Sequence, residues 1–373
     1  MDSFLEEDFL EEAGLSEPQT MTELFGHDDT EKEILEVWNS GRFPHALIFA
    51  GPEGIGKETL AFRLARFLLA EEGNQDGGGL FGEDVSAPIT SLEISEDNPV
   101  ARRISSGGHA DLRVIQREVD EKTKKIKSEI AVKSVRKIAP FLHKTAAEGG
   151  WRIVIVNEAD KLNRSGQNAL LKILEEPPEK ALLILVSNKP GAFLPTIRSR
   201  CRLFALQSLS TENIEKLLLR QFPDLSPMDS KSLAEMGEGS IGRAIELQES
   251  GGLELFQQVL DILKQLPVFD WEELHKLSAK QSDDNYKTFM SLLVWWVERL
   301  VRSQGRGIMP SEIIPGDVAV ITKLLELYSP KKLLKIRDEI SYLIEQTDRS
   351  RLDKKQTVLN VFGVFQQEIN KAA

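Results

Sequence analysis

The sequence has one cysteine, Cys201, in 373 residues, and this scarcity excludes several kinds of site. A lone thiol can form neither an internal disulfide nor a zinc site built from several cysteines. The five histidines lack the spacing of metal ligands, so we expect no zinc. A chain without disulfides fits a reducing compartment, and we expect the protein to be cytoplasmic.

The sequence also lacks a long apolar run and an excess of positive charge. The most apolar stretch, 289–297, is far shorter than the roughly 20 residues that cross a bilayer, so we expect no membrane contact. Lys and Arg number 47 against 59 Asp and Glu, a net charge of -12. An acidic chain is a poor stand-alone binder of nucleic acid, because that binding depends on Lys and Arg at phosphates. Any DNA contact would need partners or a locally basic face.

What the sequence does contain is an apolar run at 46–50, then GPEGIGKET at 51–59, then a helical pattern. Strand, glycine-rich turn and helix in this order are the context of a phosphate-binding loop. The glycines let backbone N–H groups approach a phosphate, and the lysine reaches the outer phosphates. The alternative is a glycine-rich turn without a ligand. The candidate nucleotide-binding residues are Gly51, Gly54, Gly56, Lys57, Glu58 and Thr59.

The loop departs from the full motif at one position. The residue after the lysine is normally Ser or Thr, whose hydroxyl holds Mg²⁺, and here it is Glu58. Thr59 comes one residue late and points about 100° around the helix. We therefore expect a loop that folds and could bind ATP or ADP, with Mg²⁺ binding uncertain and hydrolysis reduced.

A second strand, 152–156, ends in NEAD at 157–160 and resembles a Walker B element. In that element an Asp at the strand end holds Mg²⁺ and the next Glu activates the attacking water. Asn157 takes the Asp position, whereas Glu158 stands where the base is expected. The alternative is an ordinary polar end of a buried strand. Asn188 follows the apolar run 182–186 and could reach a γ-phosphate, or could simply begin a turn.

Two arginines are further candidates. Arg200, in TIRSRC at 196–201, could stabilise charge on the γ-phosphate of a neighbouring subunit, or could belong to a basic surface turn. Arg243 follows GSIG at 239–242 and could fold back on a nucleotide, or could be a solvated helix charge.

Continuous apolar runs separated by helical patterns predict an α/β fold with a parallel sheet buried on both faces. The predicted strands are 46–50, 112–115, 152–156, 182–186 and 203–206. The stretch 73–108 is rich in Gly, Ser, Asp and Pro, and we interpret it as an insertion loop with little core. After position 207 the pattern is helical.

Several motifs together resemble the delta prime subunits of the bacterial DNA polymerase III clamp loader, an AAA+ family. The motifs are GPEGIGKET at 51–59, HADL at 109–112, NEAD at 157–160, NALLKILEEPP at 168–178 and SRC at 199–201. The leucine-rich helix that ends in EEPP and the SRC triplet are the most specific of them. The similarity is strong over about 25–245 and weaker beyond.

The resemblance implies an AAA+ phosphate-loop sheet domain, a small helical lid and an all-α C-terminal collar. The expected divisions are a flexible acidic tail at 1–22, a nucleotide-binding-like domain at 23–207, a lid at 208–250 and a collar at 251–373. It also implies that Arg200 serves the ATP site of an adjacent ATPase subunit, and that Asn188 and Arg243 are sensor positions. The implied partners are the gamma/tau and delta subunits, the sliding clamp and primed DNA.

The positions at which this sequence departs from the family's motifs favour a subunit that hydrolyses little ATP itself. Many relatives carry a four-cysteine zinc module, which a chain with one cysteine cannot form. Glu58 and Asn157 agree with the tendency of delta prime subunits to be catalytically silent. The alternative is a working AAA+ ATPase, such as the motor subunit of a clamp loader or a helicase loader. A phosphate-loop small-molecule kinase is a third hypothesis, against which the long helical C-terminal third argues.

Overall fold

The computed structural model describes residues 17–75, 88–120, 122, 125–147, 150–280, 283–350 and 352–370. Most of the acidic tail expected at 1–22 lies outside the described residues, as do positions 76–87 of the expected insertion loop. The chain divides into two compact units. The first runs up to Asn213 and includes Gly239–Gly242, and the second contains Ile214–Glu238 and the residues from Arg243 onward. The division into nucleotide domain, lid and collar stays a prediction.

The first unit is built on a parallel sheet with the strand order β2-β3-β4-β1-β5. The strands are β1 Ala46–Ala50, β2 Leu112–Ile115, β3 Arg152–Val156, β4 Ala181–Ser187 and β5 Arg202–Ala205. Every residue of β1, β3 and β4 is buried, which explains why these strands are continuous apolar runs. The predicted α/β fold and the positions of its strands are confirmed.

Helices cover both faces of this sheet, and each face has its own apolar core. One core contains Leu47, Phe49 and Ile155, and the other contains Ile48, Val154 and Leu185. The helices are α1 Asp28–Asn39, α2 Lys57–Gln75, α3 Pro99–Ser105, α4 Val132–Val135, α5 Ile138–Leu142, α6 Arg164–Glu175 and α7 Pro195–Arg198. Helix α8, Thr211–Gln221, begins at the end of this unit.

The expectation that 73–108 contributes little core is wrong for its described part. Helix α3 buries Val100 and Ile104 against the first core, and Leu92 is fully buried there too. The helix has a clear start signal, because the Asn98 side chain accepts from the Val100 N–H and a proline follows at the first helical position. The polar composition of the whole stretch obscured this short apolar segment.

The described residues of the second unit form helices joined by loops, without a strand, which confirms the predicted helical C-terminal region. Its helices after α8 are α9 Pro227–Met236, α10 Ile241–Glu249, α11 Gly252–Leu263, α12 Trp271–Lys280, α13 Asp283–Arg306, α14 Asp317–Leu327, α15 Pro330–Ser350 and α16 Lys354–Asn370. Helix α13 is central and packs against α11 and α15, with Phe289 and Trp296 fully buried. Among the described residues, no helix is both long and apolar enough to cross a membrane.

Candidate functional site

The glycine-rich loop connects the carboxyl end of β1 to the first residue of α2. Gly54 and Gly56 have φ angles of +71° and +97°, in the left-handed region that favours glycine. The Gly51 N–H donates to the Ser187 carbonyl oxygen at 3.2 Å, which ties the start of the loop to the end of β4. The backbone therefore has the strand-turn-helix form that the sequence predicted, at the sheet edge where ligands of parallel α/β proteins bind.

Two contacts from distant sequence hold the loop in this form. The buried His27 ring places Nε2 at 2.6 Å from the Ile55 carbonyl oxygen. Because a carbonyl oxygen can only accept, Nε2 carries the hydrogen and donates the hydrogen bond. Burial also lowers the pKa of His27, which favours the neutral ring. On the other side, the Gly242 N–H donates to the Gly54 carbonyl oxygen at 2.9 Å. Sequence reasoning did not single out His27, because nothing near it in the chain marks its role.

Lys57 is buried inside the loop, and its ammonium group donates a hydrogen bond to the Pro52 carbonyl oxygen. Burial lowers its pKa to about 8, although the nearby Glu53, Asp160 and Glu58 carboxyls oppose this shift. A cation enclosed by a glycine-rich turn at a helix N-terminus is the arrangement that accepts a phosphate. The residues at 51–57 therefore fit the phosphates of a nucleotide.

The two positions that would normally hold Mg²⁺ are hydrogen-bonded to each other. The Asn157 side-chain nitrogen donates to Glu58 Oε2 at 2.6 Å, and Asn157 Oδ1 accepts from the Glu158 N–H at 2.9 Å. Burial raises the pKa of Glu58 to about 7, while the hydrogen bond from Asn157 opposes that rise. The amide oxygen of Asn157 is thus engaged, and its nitrogen has no lone pair for a metal. This pair does not fit the usual Mg²⁺ ligand set of hydroxyl and carboxylate.

Thr59 follows Glu58 in the first turn of α2, so it is the next hydroxyl along the chain. Across the described residues, no group of three or more His, Cys, Asp or Glu side chains is placed to hold a metal ion. The geometry therefore supports phosphate binding by the loop more strongly than metal binding beside it.

Glu158, the residue in the position of the base, forms an ion pair with Arg117. The guanidinium donates from Nε to Oε2 at 2.6 Å and from a terminal nitrogen to Oε1 at 2.8 Å. A two-point arginine–carboxylate contact is among the strongest that side chains make. Arg117 follows β2, which lies beside β3, so the strand order alone brings it to Glu158. Sequence reasoning did not single out Arg117, whose guanidinium occupies both oxygens of the carboxylate that would have to accept a proton.

Asp160 links the ends of β3 and β4. Its Oδ1 accepts from the Ser187 hydroxyl at 3.1 Å and from the Asn188 N–H at 2.8 Å. These bonds fix the backbone at Asn188 next to the strand end that carries Asn157 and Glu158. The structure therefore brings the loop, the Walker B-like segment and Asn188 to one edge of the sheet.

The contacts of Arg200 lie elsewhere in the first unit. It follows α7 and forms a 3.0 Å ion pair with Glu175, the last residue of α6, and it donates to the Thr196 carbonyl oxygen at 3.0 Å. Its side chain is 36% exposed, and that of Glu175 is 52% exposed. Arg200 is thus at the surface, held by a carboxylate that solvent also reaches.

Arg243 belongs to the second unit. There it lies 3.5 Å from a carboxylate oxygen of Glu238, and its guanidinium carbon lies 5.7 Å from the ring centre of Trp295. Burial lowers the pKa of Arg243, and the Glu238 and Glu246 carboxylates oppose this shift.

Comparison with known proteins gives one consistent family. The family model described as DNA polymerase III, delta subunit, matches residues 26–210. The chain is 27% identical over 319 residues to DNA polymerase III subunit delta' of Escherichia coli K12, with 84% of this chain and 86% of the relative covered. It is 32% identical to subunit delta' of Pseudomonas aeruginosa, with 60% and 61% covered.

The chain is also 30% identical to DNA polymerase III subunit tau of Escherichia coli K12 over 285 residues, with 74% of this chain and 40% of the relative covered. The matched residues 26–210 contain the loop, the Walker B-like segment and Arg200. With this match and relatives named delta' in separate bacteria, the chain belongs to the delta prime family of DNA polymerase III subunits.

Proposed function

We propose that this chain is a delta prime-type clamp-loader subunit that keeps the fold of an ATPase but turns over little ATP itself. The observation that carries this proposal is the 2.6 Å hydrogen bond between Asn157 and Glu58, the two positions that hold Mg²⁺ in an active site. Phosphoryl transfer in phosphate-loop proteins depends on that ion to neutralise developing charge. A site that satisfies these two side chains internally lacks the donor set for it.

The ion pair between Arg117 and Glu158 supports the same conclusion. A general base must be within reach of the water whose proton it takes, and it must be free to accept that proton. Both Glu158 oxygens accept from the Arg117 guanidinium, so the two atoms that would take a proton from water are already hydrogen-bonded. Low turnover is thus expected on two separate grounds, the metal ligands and the base.

The loop itself remains suited to a nucleotide. Lys57 and the N–H groups of 51–57 could bind the phosphates of ATP or ADP, with Asn188 near the same sheet edge. Bound nucleotide would then stabilise the first unit without being consumed. The assignment of Arg243 as a sensor residue stays a prediction, as do the lid at 208–250 and the collar at 251–373.

Arg200 is the residue of this chain that would act at the ATP site of an adjacent subunit. Its ion pair with Glu175 is solvent-exposed, and such pairs contribute only about 0.5 kcal/mol. Arg200 can therefore leave Glu175 for the γ-phosphate of a nucleotide on an adjacent subunit at a small cost in free energy. An arginine delivered in this way typically accelerates phosphoryl transfer by about 10³-fold or more.

The relatives named delta' and tau are subunits of DNA polymerase III. We infer that the partners of this chain are the gamma/tau and delta subunits, and that the assembled complex acts on a sliding clamp and primed DNA. The net charge of -12 fits a subunit that reaches DNA through its partners. We infer a cytoplasmic location from the same role.

Reconstitution of the complex with gamma/tau and delta subunits tests this function. We expect Arg200→Ala to reduce DNA-stimulated ATP hydrolysis and clamp loading, and to leave assembly intact. Arg198→Ala is the matched control, because Arg198 lies in the same turn and is exposed. We expect Lys57→Ala to change hydrolysis little. Brisk hydrolysis of Mg-ATP by the chain alone, or a large loss from Lys57→Ala with Arg200→Ala silent, would instead identify a working ATPase.

A further inference from the structure

A groove of about 680 Å³ lies in the second unit between helices α10, α13 and α15. The α13 residues that line it recur at three- and four-residue intervals, from Lys287 through Met290 and Val294 to Glu298. Eleven residue steps of about 1.5 Å make this face about 17 Å long. A regular face of that length matches two to three turns of another helix lying along the groove.

The floor of the groove is apolar. Met290 and Trp295 are almost completely buried, as is Leu247 from α10, and Ile344 from α15 is half-buried beside them. Two guanidinium carbons lie near the centre of the Trp295 ring, that of Arg243 at 5.7 Å and that of Arg299 at 5.9 Å. The half-buried Val294 and Ile344 are the apolar side chains above this floor that aliphatic side chains of a partner can contact.

The rim of the groove is acidic. Its described lining residues include four carboxylates, at Glu246, Glu298, Glu345 and Asp348, and two basic side chains. One of the basic residues is Arg243, which pairs with Glu238 and stacks on Trp295 as described above. Glu345 pairs with Arg349 at 2.6 Å, but both side chains are more than half exposed, so the pair is weak. The rim thus presents net negative charge around an apolar floor.

We propose that this groove binds a basic amphipathic helix of a partner protein. Aliphatic side chains of that helix would lie on Val294 and Ile344, and its Lys or Arg residues would face Glu345 and Asp348. The charge of the rim repels nucleic acid, and a second copy of this chain, with its net charge of -12, is a poor match as well. This surface involves neither the phosphate loop nor Arg200, so it is independent of the proposed function of those residues.

Charge reversal tests the rim. The probe is a labelled 14-residue helical peptide of Lys, Leu and Ala, and its counterpart has Glu at every Lys. We expect the Lys peptide to bind and Glu345→Lys with Asp348→Lys to weaken it about tenfold. The matched control is Glu272→Lys with Glu326→Lys, which also removes one ion pair four residues apart, Glu272 with Lys276, and changes the net charge equally. Equal weakening by both double variants, or equal binding of the Glu peptide, overturns the proposal.

Filling the groove tests its floor. Ser291 is exposed on the α13 face, and its hydroxyl donates to a carbonyl oxygen of its own helix, as that of Thr322 does on α14. We expect Ser291→Trp to abolish peptide binding and Thr322→Trp to leave it unchanged. Circular dichroism melting shows whether each variant is folded. Loss of binding in both folded variants, or in neither, contradicts the assigned site.

Photo-crosslinking identifies the natural occupant. A benzoylphenylalanine at position 291 in the reconstituted complex should crosslink to a Lys- and Arg-rich helical segment of another subunit. A crosslink to a second copy of this chain, or to an acidic segment, overturns the assigned chemistry. The Arg200→Ala assay in the same complex separates the two proposals. If the groove does not bind a basic helix, ATP hydrolysis by the complex still depends on Arg200. If the chain is not a clamp-loader subunit, the Lys peptide still binds to the groove.

Discussion

Replacing Glu58 by glutamine tests whether its carboxyl group is neutral in the folded chain. Burial raises the pKa of Glu58 to about 7, from an ordinary value of 4.5. Because the folded pKa lies above the unfolded one, the folded chain keeps this proton to a higher pH. The free energy of unfolding should therefore fall as the pH rises from about 4.5 to about 7, and then level off.

The size of the effect follows from the two pKa values. At about 1.4 kcal/mol for each factor of ten, a rise from 4.5 to about 7 corresponds to at most about 3.5 kcal/mol. Glutamine cannot ionise, and its amide oxygen can still accept from the Asn157 side chain. Glu58→Gln should thus resemble the wild type near pH 4.5 and be more stable by up to about 3.5 kcal/mol at pH 8.

Hydrogen exchange of the amides in β1 and α2 is the measurement, read by mass spectrometry on the full chain between pH 5 and pH 8 without nucleotide. Both proteins share Lys57, so the comparison of variant with wild type removes the part of the Lys57 titration that does not depend on Glu58. Glu36→Gln, on the exposed face of α1, is the control and should show no pH-dependent difference. A stability difference between the two proteins that does not change with pH would refute a neutral Glu58. So would a wild type that becomes more stable than the variant at high pH.

Three further changes have clear expectations. Gly54→Ala should cost about 1–3 kcal/mol of loop stability, because φ is +71° and the new Cβ would clash with the Ser240 hydroxyl oxygen; hydrogen exchange at the loop measures it. Leu170→Ala should cost about 3 kcal/mol in urea unfolding of the first unit, because Leu170 is fully buried. Glu58→Thr with Asn157→Asp should create Mn²⁺ binding in the presence of ADP, measured by electron paramagnetic resonance, and equally tight binding by wild type would contradict the internal Glu58–Asn157 pair.

Some features of the fold could be predicted because the local sequence of a short stretch determines them. Strand β1 was predicted at 46–50 and lies there, since a buried parallel strand must be apolar along its whole length. The loop was predicted from its glycines and lysine between a strand and a helix, and Gly54 and Gly56 do adopt φ angles that favour glycine. Helix α3 was missed, since one short apolar face is outweighed by the polar residues around it.

The candidate site divides in the same way. The sequence by itself determined that a phosphate loop and a Walker B-like strand end exist, and that Glu58 and Asn157 replace the usual metal ligands. Only the tertiary structure decided that Asn157 donates to Glu58, 99 residues away, and that Arg117 holds Glu158 across 41 residues. The physical reason is that local patterns fix which residues form each element, whereas the strand order decides which side chains meet, and no local pattern encodes that order.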